Sequence, residues 1–132
     1  MEKVKIKDLD LIVEQRYLDG SQITFSLLRE ELETRLPEYG VPFEIAMGEV
    51  SYGLFDETVD ALLITNPSHT NQYAKVVIMI KRQGNTCLVQ VATTESSKKL
   101  NKAVQKGTLT LNQEEEMGWY HIIGYCMAQI LQ

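Results

Sequence analysis

Residues 73–94 read YAKVVIMIKRQGNTCLVQVATT, and the pairing within this stretch decides the fold. Two runs rich in β-branched and apolar residues, Tyr73 to Arg82 and Thr86 to Thr94, flank Gly84-Asn85. Glycine at the first central position suits a two-residue hairpin loop. A loop of that length fixes the register. Ile80 then opposes Val89, Ile78 opposes Val91 and Val76 opposes Thr93 on one side of the hairpin. Lys81 opposes Leu88, Met79 opposes Gln90 and Lys75 opposes Thr94 on the other. The first side reads as the core face of an antiparallel sheet and the second is mixed, as expected of a sheet covered on one face.

The core face needs an apolar cover, and the C-terminal segment supplies it. Trp119, Ile122, Ile123, Cys126 and Ile130 form one helical stripe, widened by Tyr120, Met127 and Leu131 to about half the circumference. Asn112 and Glu115 stand three apart as a capping box. Glu114, Glu115 and Glu116 fall in the first turn, where carboxylates favour the positive end of the macrodipole. Just upstream, Ser96 and Ser97 cap a short helix carrying Leu100, Ala103 and Val104, ended by Gly107.

Working back towards the N-terminus, Ala61 to Ile64 is a short strand closed by Asn66-Pro67-Ser68. Phe43, Ile45 and Met47 alternate, and Val50, Tyr52 and Leu54 follow Gly48, which reads as a hairpin or one bulged strand. Leu28, Leu32 and Leu36 lie one turn apart on a helix with Ser26 as N-cap, stopped by Pro37 and Gly40. Ile23 and Phe25 alternate briefly before it. Asp8 caps an earlier helix whose stripe is Leu9, Ile12, Val13 and Tyr17, closed by Gly20. Val4 and Ile6 alternate with lysines as a short strand. The expected architecture is α+β: an antiparallel sheet packed on one face by helices, the last of them long and apolar. Neither linker nor repeat interrupts the chain, so residues 1–132 read as a single domain.

Apolar residues make up 44% and charged residues 23%, which excludes a disordered tail, a collagen-like fibre and a disulfide-rich mini-protein. A net charge of −5 argues against binding nucleic acid through bulk charge. The charge is unevenly distributed. Residues 1–60 carry fourteen acids and six bases, whereas residues 61–132 carry four acids and seven bases. Such polarity suits self-association or a charged partner as well as an ordinary solvated surface. The longest apolar runs, such as Val76 to Ile80, are five residues, far below the roughly 20 of a membrane span. No secretory signal is visible, so a cytoplasmic protein is expected, with Cys87 and Cys126 as buried free thiols and no membrane partner.

Chemistry-bearing motifs are sparse, and neither catalytic residues, metal ligands nor a cofactor are expected. His121 projects opposite the main stripe of the last helix, and His69 lies in the polar loop Asn66 to Asn71. Each fits a surface residue as well as a general base or pH sensor. The acidic stretch Asp56 to Asp60 lacks the glycine of a calcium loop. Lys98, Lys99, Lys102 and Lys106, with Lys81 and Arg82 at the hairpin tip, form an anion or partner patch, or else a solvated face; aromatic residues that would stack bases do not interleave. Gly118, Gly124 and Ala128 lie beside Tyr125, off the main stripe of the last helix, where a second subunit could pack closely.

The element order of strand, helices, antiparallel strands and long apolar C-terminal helix resembles that of small helix-grip domains of the START-like and polyketide-cyclase-like class. In those domains the sheet curls around the last helix and can hold an apolar ligand between. The resemblance implies an interior lined by Trp119, Ile123, Cys126, Met127, Ile78, Ile80, Val89 and Val91; taken alone, the same residues read as a filled core. Fewer strands follow the helix pair than that class carries, and the lysine-rich segment 96–107 is an insertion relative to it. The leading expectation is a non-enzymatic binding or protein-interaction domain acting as a homodimer or with a protein partner, followed by a carrier or sensor of a small apolar ligand and, third, an enzyme of the same fold.

Overall fold

In a computed structural model of the chain, β5 (Val76–Gln83) and β6 (Thr86–Thr93) form the hairpin that residues 73–94 specify. Ile80 pairs with Val89, Ile78 with Val91 and Val76 with Thr93, and Gly84 takes a positive φ of 58°. The structure describes residues 1–53, 55, 57–70, 72–94 and 96–132, and the side chains of residues 96–98 lie outside that description. Leu54, Asp56 and Asn71, which the sequence reads as part of a strand, of an acidic turn and of a polar loop, are outside it too.

Among the described residues, six strands form one mostly antiparallel sheet in the order β1-β3-β4-β5-β6-β2. They are β1 (Glu2–Lys5), β2 (Asp10–Leu18), β3 (Glu44–Tyr52), β4 (Glu57–Thr65) and the hairpin pair. Helices are α1 (Phe25–Arg35), α2 (Ser96–Lys106) and α3 (Leu111–Ile130). None among the described residues is long and apolar enough to cross a membrane. The α+β architecture, with helices on one sheet face and a long C-terminal helix, is the one the sequence dictates.

Several local expectations are corrected. The segment read as a helix from Asp8 to Gly20 is strand β2, preceded by a 3₁₀ turn at Ile6–Asp8 that also shortens the first strand. β2 pairs with β6, and its register slips between Leu11 and Val13. That bulge shifts the phase of alternation and leaves Leu9, Ile12, Val13 and Tyr17 looking like a helical stripe. Residues 44–52 form one strand in continuous register with β4, neither a hairpin nor a bulged strand. Gly48 is required there because a Cβ would meet Leu63 Cδ1 at 2.5 Å and the Glu2 carbonyl oxygen at 2.9 Å. Thr24, not Ser26, caps α1 through its side chain. Thr110 and Gln113, two positions earlier than Asn112 and Glu115, form the reciprocal capping box of α3. Ser96 and Ser97 sit inside α2, which Gly107 ends at a φ of 67°.

Both sheet faces are apolar. On the helix side Leu62, Ile64, Val76, Ile78, Val89 and Val91 pack with Leu28, Leu32 and Leu36 and with Trp119, Ile123, Cys126 and Met127. On the other side Val50, Ala61, Leu63, Val77 and Met79 pack with Val4, Ile6 and Leu9. The face that reads as mixed from the hairpin alone is thus covered by the N-terminal nine residues. This cover requires a curled sheet. Five Cα steps from Lys5 to Asp10 reach at most about 19 Å, whereas a flat sheet would separate its edge strands by about 24 Å. β4 and β5 pair over only four residues, 61–64 with 76–79, and diverge beyond them. An ion pair between Glu2 on β1 and Lys75 at the head of β5 spans the curl.

Candidate functional site

Two features stand out: the outer edge of β2, which no other described strand pairs, and a buried carboxylate at the start of α3. β2 is nine residues long and ends the sheet, with β6 as its neighbour. Val13, Gln15 and Tyr17 stand opposite Val91, Val89 and Cys87, on the helix side. The Tyr17 hydroxyl donates to the Leu131 carbonyl at 2.6 Å, tying the strand to the end of α3. Burial, then the nearby Cys87, push the Tyr17 hydroxyl above its ordinary pKa. On the opposite side Glu14 accepts from the Gln90 amide at 2.8 Å and Arg16 donates to the Thr86 hydroxyl at 3.0 Å. Glu14, Gln15 and Arg16 are exposed, and Leu11 and Leu18 remain 54% and 76% exposed. Apolar side chains along an unpaired strand are unusual on a monomer surface, because they invite further pairing.

The carboxylate is Glu116. Only 7% of it is exposed, because it stands one turn before Tyr120 on the buried stripe. The Tyr120 hydroxyl donates to its Oε1 at 3.1 Å and itself accepts from the buried Ala74 amide. Tyr73 packs against Trp119 and Tyr120, with His69 stacked on its other face at 4.4 Å. Burial raises the Glu116 pKa above its ordinary 4.5, against the Tyr120 hydroxyl, the Ala74 amide and His69, which pull it down. The Tyr120 hydroxyl is pushed far up by burial and by Glu116. Glu116 also lines a cleft of about 350 Å³ with Gln72, Tyr73, Lys99, Leu100, Asn112 and Gln113. Such a cleft presents amides and an ammonium around a carboxyl group held ready to take a proton.

The residues implied by the helix-grip resemblance come together in one packed cluster. Trp119, Ile123, Cys126, Met127, Ile78, Val89 and Val91 are each no more than 3% exposed, and Ile80 sits half-buried at the rim. The Trp119 indole donates to the Pro42 carbonyl at 2.9 Å. The clefts lined by Glu116, by β2 with the end of α3, and by Leu11 with His121 involve none of these eight residues. Cys87 and Cys126 are buried free thiols, and burial raises the Cys126 pKa.

Lys99, Lys102 and Lys106 are exposed on α2, where Lys98 also lies, its side chain outside the described residues. The hairpin lysine and arginine have partners of their own. Lys81 sits 5.2 Å over the Tyr52 ring, and Arg82 donates to the Gly20 and Ile23 carbonyls. His121 is exposed at the wall of a groove of about 270 Å³ beside Leu11, Ile12 and Met117. A Cβ at Gly118 or Gly124 would meet nothing within 4 Å, so this face of α3 is open. Among the described residues no group of His, Cys, Asp and Glu is placed to hold a metal ion.

Sequence reasoning missed Glu116 because three consecutive glutamates suggest only a helix start. The signal was there in spacing: Glu116 precedes Tyr120 by four and Trp119 by three, on the buried face. Comparison with protein-family models, with curated proteins and with solved structures finds no match for this chain.

Proposed function

We propose that the protein is a non-enzymatic interaction domain that works as a homodimer. The observation carrying this reading is the outer edge of β2 from Leu11 to Leu18, which no other described strand pairs, with Leu11 and Leu18 exposed along it. A strand edge of that length offers unpaired N–H and C=O groups to an added strand, and pairing them removes apolar surface from water at the same time. A cytoplasmic setting agrees with the free thiols of Cys87 and Cys126. Light scattering coupled to size-exclusion chromatography, repeated over a dilution series, tests the reading. The expected result is a dimer that dissociates on dilution, and a monomer throughout overturns it.

A second reading, a carrier or sensor of a small ligand, is favoured by Glu116 in its cleft. The helix-grip resemblance belongs to this reading but would put an apolar ligand between sheet and α3. The cleft instead favours a small polar molecule at the first turns of α3, hydrogen-bonded by Gln72, Asn112 and Gln113. Native mass spectrometry of protein from lysate should then retain an adduct that Glu116→Gln loses, and a clean wild-type spectrum counts against it.

A further inference from the structure

The hydrogen-bond parity of the sheet restricts how β2 can receive a partner. A two-residue hairpin closes on a hydrogen-bonded pair, here Gln83 with Thr86. Bonded and non-bonded pairs alternate along an antiparallel ladder, so Cys87, Val89 and Val91 direct their N–H and C=O groups towards β2. Their partners there are Tyr17, Gln15 and Val13. The bond from the Asp19 amide to the Asn85 carbonyl, at 2.7 Å, continues the same alternation. Glu14, Arg16 and Leu18 therefore direct their backbone groups outward, to the free edge.

Two antiparallel copies can bond only where outward-directed residues face one another. Around the middle of β2 that leaves three registers: Glu14 opposite Glu14, Arg16 opposite Arg16, or Glu14 opposite Arg16. The first two bring like charges together across the two-fold axis, which is destabilising. The third forms two opposite-charge pairs. It also sets Gln15 against itself and Val13 against Tyr17 on either side of it, so apolar pairs flank the charged ones. Glu14 and Arg16 are already oriented for this by Gln90 and Thr86 on β6. The bulge at Ile12 leaves residues 13–18 in regular register with β6.

We propose that two copies of the chain pair antiparallel along β2 about a two-fold axis through Gln15, joining their sheets into one, with Glu14 of each copy opposite Arg16 of the other. The proposal rests on the homodimer reading and gives it an interface. It makes the open faces of α2 and α3 dispensable for dimerisation.

Charge reversal tests it. Sedimentation equilibrium of Glu14→Arg and of Arg16→Glu should each show a dimer weakened about tenfold or more, since both symmetry-related pairs turn repulsive. The double variant should return to the wild-type dissociation constant. Gln15→Cys should form a disulfide-linked dimer on mild oxidation, because facing residues of a non-bonded pair stand about 4.5 Å apart at Cα. Glu14→Cys should not, because its two copies are out of register. A monomeric wild type overturns this proposal and the homodimer reading together. A wild-type dimer that is indifferent to both reversals, or that Gln15→Cys fails to cross-link, overturns this interface and leaves the homodimer standing.

Discussion

Replacing Tyr120 by phenylalanine removes one oxygen atom on which two buried groups depend. The ring itself stays, packed against Trp119 at a centroid distance of 5.4 Å and against Tyr73 at 6.2 Å, so the apolar contribution is unchanged. The hydroxyl accepts from the amide of Ala74, a residue 2% exposed, and donates to Glu116 at 3.1 Å. A buried donor left without a partner costs about 1–3 kcal/mol, and a hydrogen bond to a charged group is worth about 1.5–3 kcal/mol. The two are coupled through the same atom, and Glu116 can relieve its loss by taking up a proton. The expected destabilisation is therefore about 2–3 kcal/mol, below the simple sum. Urea unfolding measures it, with Trp119 fluorescence as a probe next to the lesion and circular dichroism as a global one. The two transitions should coincide. A loss below about 0.5 kcal/mol would show that water or a small shift satisfies both groups, and would refute the view of this network as a buried, closed one.

Further expectations rest on neighbouring features. The raised Glu116 pKa means the folded protein holds a proton that the unfolded chain has released, so stability should fall as pH rises from about 4.5 through the folded-state value. Glu116→Gln should flatten that part of a stability profile, and a profile identical to wild type would contradict the assignment. Ile78→Ala, at a fully buried position, should cost roughly 2–5 kcal/mol in denaturant unfolding. Ile80→Ala, at the rim of the core, should cost less; the reverse order would contradict the packing on the helix face. Gly48→Ala forces a Cβ onto Leu63 and the Glu2 carbonyl. It should release β1 first, seen as faster proteolysis near the N-terminus, and unchanged cleavage would argue against the tight β1–β3 contact.

The parts of the fold legible in the sequence are those where pattern and burial coincide. The 73–94 hairpin announces its register through Gly84-Asn85, and Leu28 and Leu32, with Leu36 capping the end, all fully buried, mark α1 by spacing alone. Wherever a local feature interrupts the period, the reading goes astray. In β2 the bulge near Ile12 puts Val13 and Tyr17 on the core face, four residues apart, which a helical wheel accepts just as readily. Thr110 and Gln113 satisfy the capping box as well as Asn112 and Glu115 do, and the choice depends on where the chain leaves α2. The apolar cover over Leu63, Val77 and Met79 comes from residues some fifty or more positions away, a pairing no local pattern encodes. Of the candidate site, the edge was hidden because its strand was read as a helix, and Glu116 because its neighbours share its charge.

The ties between the two ends of the chain also constrain the order in which it can be made. β2 ends at Leu18, yet its partner β6 spans Thr86–Thr93 and its Tyr17 hydroxyl is held by a carbonyl 114 positions later. A nascent chain leaving the ribosome therefore exposes Leu11, Ile12 and Val13 until Thr86–Thr93 has followed, with no native neighbour to receive them before then. Contacts of such long sequence separation close slowly, and an unpaired apolar strand waiting for them is prone to misassociation. The strand whose outer edge receives the second copy is thus the last of the sheet to find its neighbour, and Glu14 and Arg16 take up their places on Gln90 and Thr86 only once β6 has been made.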